Sequence, residues 1–291
     1  MQMQIQMQMQ MQYGMSTKCH LQKAVLMNAE PTLITSKDNV LLKGLRRLSQ
    51  ESTHYRQTQT FWIEGEHLCQ AALDKGVKVK RAVFSQSIWP QIQQAYKSVA
   101  AQNFIMTDAL FESISALGSS AHFGWECEMP PSPSVDPNAM SLILDRLQDA
   151  GNVGAILRTA AAMGCTQILA IKGSAALWSA KVLRAGMGAH FSLQLHESLQ
   201  PTDLDQLKVP LLATSSHQGA YLHELLAQGR LPHPCAWMMG HEGQGLSEQL
   251  MQKAEQHIRV LQTHGQESLN VAVAASICVY SSAVMNQNRQ G

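Results

Sequence analysis

From Ser141 onward the chain repeats one pattern: a short apolar run, a turn, then a stretch with helical spacing. The runs fall at residues 142–144, 168–171, 211–213, 236–239 and 258–261. Continuous apolar runs of this length suit strands buried on both faces, and the helical stretches between them supply the cover. The pattern therefore predicts an α/β domain built on a parallel sheet. In such sheets ligands bind beyond the carboxyl ends of the strands, so chemistry is expected in the loops that follow these runs. The final apolar stretch, residues 269–285, is interrupted by Asn270 and several serines, and is too short and too polar to span a bilayer comfortably. A helix apolar on most sides must be covered, either by the sheet or by another subunit.

Upstream the character changes. Residues 128–140, EMPPSPSVDPNAM, have the composition of an interdomain linker, and the boundary is placed near Pro131. Residues 35–127 read as a smaller α/β domain. Val40, Leu41, Leu45 and Leu48 recur at helical spacing with Lys43, Arg46 and Arg47 opposite, residues 60–63 form a strand, 67–73 a helix and 77–84 another strand. Residues 1–34 open on MQMQIQMQMQMQ, without the basic start, apolar core or cleavage site of a signal peptide. They are expected to be a disordered low-complexity tail. The expected layout is thus tail 1–34, domain 35–127, linker 128–140 and domain 141–291.

Composition narrows the partners. Lys and Arg total 22 against 21 Asp and Glu, a formal net charge of +1, so any polyanion must be met by a local patch. The six cysteines are scattered with no CxxC pair, which implies a reducing, cytoplasmic setting and no zinc site. The twelve histidines include no HExxH, so no metal is expected.

Three loops carry the residues of interest. The first, from Asp145 to Ala160, turns through Gly151 and Gly154 into an alanine-rich helix. Its N-terminal amides can face an anion, Asn152 can either cap the helix or serve the site, and Arg158 can equally be an ordinary solvated arginine. The second, Gly240-His-Glu242-Gly-Gln-Gly245-Leu-Ser, is neither GxGxxG nor GxxxxGK[ST], so dinucleotide or nucleotide-phosphate binding fits poorly. Glu242 in such a turn either caps a neighbouring backbone or meets a cation. The third, residues 264–271, holds Ser268 and Asn270, either of which can be a helix cap. It is not the GxSxG elbow of a serine hydrolase.

Together these loops resemble the three motifs of the SpoU (TrmH) family of RNA ribose 2'-O-methyltransferases: Asn152-Val-Gly154-Ala-Ile-Leu-Arg158-Thr-Ala, Gly240-His-Glu242-Gly-Gln-Gly245-Leu-Ser and Glu267-Ser268-Leu269-Asn270-Val271. The stretch 181–189 is similar to the family's segment between the first two motifs. Asn39, Arg56, Phe61 and Glu64-Gly65 resemble the small substrate-binding domain that many members carry. The resemblance implies a C-terminal parallel-sheet domain with a deep trefoil knot of the SPOUT type, S-adenosyl-L-methionine as cofactor, and a homodimer formed through the C-terminal domain. It implies cofactor contacts around Thr214, Gly240, Gly245, Val260 and Leu269, and a catalytic set of Asn152, Arg158, Glu242, Ser268 and Asn270.

Within that set, a guanidinium is too weak an acid to serve as a base at neutral pH. Arg158 is therefore expected to clamp RNA phosphate and the developing alkoxide, with Glu242 orienting Arg158 or its loop. Lys43, Arg46, Arg47, Arg56, Arg146 and Arg184 are expected to form the RNA-binding patch, and the two-domain layout favours ribosomal over transfer RNA. The sequence departs from the family pattern at Ala150 in place of proline, His241 in place of asparagine, Leu261-Gln262 in place of Pro-Met, and His264 in place of glycine. A non-catalytic RNA-binding or ribosome-assembly factor on the same fold is the competing reading.

Overall fold

The computed structural model describes residues 30–116, 121–215, 218–263 and 269–290. The N-terminal unit runs β1 (Thr32–Ile34), α1 (Val40–Gln50), α2 (Tyr55–Thr58), β2 (Thr60–Glu64), α3 (Glu66–Asp74), β3 (Val79–Ser85), α4 (Trp89–Tyr96), β4 (Gln102–Met106), α5 (Asp108–Glu112) and β5 (Phe123–Glu128). Its sheet has the order β1, β4, β3, β5, β2, with β5 antiparallel to both neighbours. Asn39 starts α1 by accepting the Leu41 N–H at 2.9 Å, and Leu42, Leu45 and Leu48 bury one stripe of the helix. The domain begins earlier than expected. Residues 32–34, assigned above to the tail, pair with 104–106 as an edge strand, while the Met/Gln repeat lies outside the described residues. At the other end β5 extends to Glu128, so the linker starts one residue later than its composition suggested.

The C-terminal unit continues with β6 (Ser141–Leu144), α6 (Ala150–Ala162), β7 (Gln167–Ile171), α7 (Ala180–Gly186), β8 (Gln194–Leu199), β9 (Leu211–Ser215), β10 (Ala220–Tyr221), α8 (Leu222–Ala227), β11 (Ala236–Met239), α9 (Glu248–Lys253), β12 (Gln256–Arg259) and α10 (Val271–Gln290). Its seven strands are all parallel, in the order β10, β12, β9, β11, β6, β7, β8. Alternate residues of each strand enter different cores. Leu142, Leu144, Ile168, Trp237 and Met239 join one continuous with the N-terminal unit, and Ile143, Leu169, Ala213 and Met238 join the other. α10 lies on the first face, where Trp237 Nε1 donates to Ser282 Oγ at 2.9 Å and Cys278 and Val279 are fully enclosed.

The strand order fixes where a ligand can enter. After β6 the chain moves outward through β7 and β8, then crosses to the far side and inserts β11 directly beside β6. The loops leaving β6 and β11 therefore diverge from adjacent strand ends and leave a crevice between them. Among the described residues no helix is long and apolar enough to cross a membrane, and no group of histidine, cysteine and carboxylate side chains is placed to hold a metal.

Candidate active site

At the crevice the first loop enters α6 through Asp149, whose carboxylate accepts the Asn152 N–H at 2.7 Å. Asp149 is thus the cap, and the capping role open to Asn152 is excluded. The Asn152 side chain instead donates to Glu242 Oε1 at 3.3 Å and accepts from Asn270 Nδ2 at 3.0 Å. Asn270 does two jobs. Its Oδ1 caps α10, accepting from Ala272 N at 2.9 Å and Val273 N at 3.3 Å, while its amide group reaches Asn152. One hydrogen-bonded line, Asn270 to Asn152 to Glu242, joins segments that lie 118 and 90 residues apart. All its donors point toward the carboxylate, so each amide polarises the next.

The glycine-rich loop that presents Glu242 is a closed turn. His241 and Gly245 exchange backbone hydrogen bonds at 3.0 and 2.8 Å, and Gly245 takes a φ of 69°. A Cβ on Gly240 would lie 2.3 Å from Gly245 C and Leu246 N, so no other residue fits there. His241, in place of the family's asparagine, accepts the Gly243 N–H on Nδ1 at 3.1 Å and holds the turn from within. The loop is tied to the end of β6 by the fully buried Asp145. This carboxylate takes the Ser247 N–H at 2.5 Å and Arg146 Nε at 3.0 Å, while Arg146 Nη1 reaches Gln244 at 3.2 Å. Asp145 and Asp149 escaped the sequence reading. The Asp-x-x spacing ahead of an alanine-rich stretch was the available signal for the second.

The expected cofactor residues gather on neighbouring strand ends. Sheet register pairs Ala213 with Met238 and Thr214 with Ile258, so Thr214, Gly240 and Val260 sit at the carboxyl ends of the adjacent strands β9, β11 and β12. Thr214 Oγ1 donates to Met238 O at 2.9 Å, which turns the hydroxyl into the sheet. Leu269, next to Asn270, keeps 36% of its surface exposed. Gly245 closes the turn opposite Gly240.

Arg158 lies just over two turns into α6, on the solvent face shared with Gly151, Ala155 and Ala162, and it makes no hydrogen bond or ion pair among the described residues. Of the two roles expected for Glu242, orienting Arg158 or its loop, the contact present is to the loop: the carboxylate accepts from Asn152, at the start of the helix that carries Arg158. Ser268 and the departure at His264 lie outside the described residues.

The expected RNA-binding residues divide. Lys43 pairs with Asp38 at 3.0 Å and Arg47 with Glu51 at 2.9 Å, both on the surface. Arg46 Nη2 donates to Ser113 Oγ at 2.9 Å and Arg184 Nη1 to Ala116 O at 2.8 Å, so α1 and α7 both close on the turn after α5. Arg146 is in the loop anchor described above. Arg56 faces the junction between the two domains, 3.4 Å from Glu197.

These features agree with comparison to known proteins. Residues 139–280 match the SpoU rRNA methylase family, and residues 39–121 match the MRM3-like substrate-binding domain. The 23S rRNA guanosine 2'-O-methyltransferase RlmP of Bacillus subtilis is 29% identical over 85% of the chain and 97% of its own length. An uncharacterised tRNA/rRNA methyltransferase of Synechocystis is 30% identical over 85% of the chain and 92% of its own. The crystal structure of an AdoMet-bound rRNA methyltransferase from Sinorhizobium meliloti superposes with a TM-score of 0.75 at 27% identity, covering 87% of this chain and 98% of that one. A parallel-sheet domain whose three loops converge on a strand-order switch, preceded by a small α/β domain, defines an RNA methyltransferase architecture. The chain belongs to the SpoU rRNA methylase family.

Proposed function

We propose that the protein transfers a methyl group from S-adenosylmethionine to the 2'-hydroxyl of a ribose in ribosomal RNA, in the cytoplasm, as a homodimer on a knotted SPOUT-type C-terminal domain. The observation that carries the reading is the line Asn270, Asn152, Glu242, which brings three distant loops together at the switch point. The strand ends at Thr214, Gly240 and Val260 offer backbone groups and the apolar side chain of Val260, which suits an adenosine, and Glu242 makes no ion pair among the described residues, which suits a sulfonium cation nearby.

The cofactor supplies the activated methyl and its leaving group. The chain must align a ribose hydroxyl with it and stabilise the oxygen as its proton departs. Arg158, exposed and without a partner among the described residues, is available to hold the RNA phosphate and the developing alkoxide. Asn152 and Asn270 present amides whose orientation is fixed by Glu242 and by the cap of α10. Arg46 and Arg184, whose partners are neutral oxygens, supply local charge that a chain of net +1 otherwise lacks for RNA, and Lys43, Arg47 and Arg146 add to it where phosphate displaces Asp38, Glu51 and Asp145. The dimer is supported by α10, where Val273, Ile277, Tyr280 and Val284 recur at heptad spacing with Val273 48% and Tyr280 59% exposed.

Mapping ribose methylation in ribosomal RNA from cells with and without the gene tests the proposal, together with calorimetry of the protein against S-adenosylmethionine. The expected result is one 2'-O-methyl mark lost with the gene, and saturable cofactor binding. An unchanged methylation map with no heat of binding would favour a non-catalytic RNA-binding factor on this fold.

A further inference from the structure

The two domains meet at a junction that the reaction centre does not use. Tyr55, at the start of α2, points its hydroxyl at both oxygens of Glu197 on β8, 2.7 Å from Oε1 and 2.6 Å from Oε2. The same carboxylate accepts the Leu177 N–H at 2.6 Å and lies 3.4 Å from Arg56 Nη2. Burial, reinforced by Glu197, pushes the Tyr55 pKa up, so the phenol stays a donor across the physiological range. Beside this polar knot Phe61 of β2 packs against Trp178 with ring centroids 4.8 Å apart. On the far side Arg184 holds the Ala116 carbonyl.

All these contacts land on the segment that holds α7 or on β8 next to it. α7 in turn is packed on α6 so closely that a Cβ on Gly154 would lie 2.3 Å from the Cβ of Ala185. α6 carries Asn152 and Arg158. A rigid path therefore runs from the N-terminal domain through Glu197 and α7 to the reaction centre. Domains joined by a proline-rich linker move relative to one another unless their interface holds them.

We propose that Glu197 is a positioning residue for the RNA: with Tyr55 it latches the N-terminal domain to the catalytic one, so that RNA held by the first reaches Arg158 at a fixed distance. This rests on the reading of the protein as an RNA methyltransferase. When the latch opens, RNA must find the docked arrangement among others. If the docked fraction falls to about one tenth, apparent affinity for RNA falls about tenfold while turnover at saturation is unchanged.

The test uses the full chain, S-adenosylmethionine, and large-subunit ribosomal RNA from cells lacking the gene. Glu197→Ala and Tyr55→Phe should each raise KM for RNA by roughly five- to tenfold, with kcat within about twofold and KM for the cofactor unchanged. The double variant should be little worse than the worse single one, because both remove the same contact. Glu197→Gln, which keeps an acceptor for Tyr55 and Leu177, should recover most of the loss. A fall in kcat at constant KM, or wild-type kinetics in Glu197→Ala, overturns the proposal. Should Glu197→Ala fail to fold, Tyr55→Phe, which removes one hydroxyl, decides alone. If the wild-type chain methylates none of this RNA, the functional reading fails instead. Small-angle scattering then decides the latch: the proposal stands if Tyr55→Phe is measurably more extended than wild type and falls if the profiles coincide.

Discussion

The side chain of Asn152 can reach Glu242 and Asn270 because Asp149, three residues earlier, caps the helix. A capping role for Asn152 would have turned its side chain back onto the backbone, and the line to Glu242 and Asn270 would not form. Arg158 shows the opposite arrangement, an exposed side chain with no hydrogen-bond or ion-pair partner among the described residues. Arg158→Ala should therefore leave stability within about 0.5 kcal/mol of wild type while lowering methyl transfer by about a hundredfold or more. Thermal unfolding and a transfer assay on the same preparation check both halves, and a parallel loss of stability and rate would place Arg158 in the fold instead. Arg158→Lys keeps the charge but not the two-pronged donor, so its rate should stay well below wild type. His241 is a departure from the family that costs nothing structurally, since Nδ1 supplies the acceptor an asparagine oxygen would offer to Gly243 N. His241→Asn should keep transfer within about twofold and His241→Ala should slow it, the contrast reporting a loss of about 1 kcal/mol of turn-closing hydrogen bond.

At the scale of elements, α6 and α7 meet through glycine. A methyl at Gly154 would also come within 2.8 Å of the Ala185 carbonyl carbon and Gly186 N, so the helices must separate to admit it. Gly154→Ala should cost roughly 1–3 kcal/mol and displace Asn152, with denaturant unfolding and transfer rate falling together. An unchanged midpoint would mean that the helices part freely. The same scale shows what the sequence made legible. The apolar runs at 142–144, 168–171, 211–213 and 236–239 became β6, β7, β9 and β11, because strands flanked on both faces carry few polar residues. β12 lies two residues earlier than its run, since only Ile258 is buried in Gln256–Arg259. β5 and β8 escaped. In β5 a buried Glu126 is neutralised by Arg81 at 2.6 Å, and Gly124 makes room for Trp62, so neither residue looks like a strand interior in isolation. In β8 only Leu195 and His196 are buried, and Glu197 acquires its meaning from Tyr55, 142 residues away. Asn152, Glu242 and Asn270, which meet at the crevice, stand in the three motifs. Their pairing was not legible, since pairing across such separations has no local periodicity.

For the molecule as a whole, the junction between the domains is also where acid should act first. His190 is fully buried beside Trp178, the ring that meets Phe61, with centroids 5.4 Å apart. Its Nε2 lies 2.8 Å from the Leu177 carbonyl and its Nδ1 has no partner among the described residues, an environment that fits a neutral ring donating from Nε2. Burial lowers its pKa to about 4, against which the hydrogen bond to Leu177 works only weakly. Unfolded, the ring titrates near about 6.5, so between the two values the unfolded chain holds a proton that the folded one rejects. The contribution of His190 is therefore complete above about pH 6.5, shrinks as pH falls, and is lost by about pH 4, a total of roughly 3 kcal/mol. His190→Gln, which can still donate to Leu177 but cannot take up a proton, should be somewhat less stable than wild type at pH 7.5. It should then lose less on going to pH 4.5. Urea unfolding at pH 7.5, 5.5 and 4.5 measures the difference, and parallel curves for the two proteins would show that acid sensitivity arises elsewhere. Because Leu177 contributes its carbonyl to His190 and its N–H to Glu197, protonating the ring strains the same peptide segment that the latch grips. Because the folded ring takes up its proton only near pH 4, the acid limb should appear in the unfolding free energy first, from about pH 6.5 downward, and in RNA affinity only as pH approaches 4.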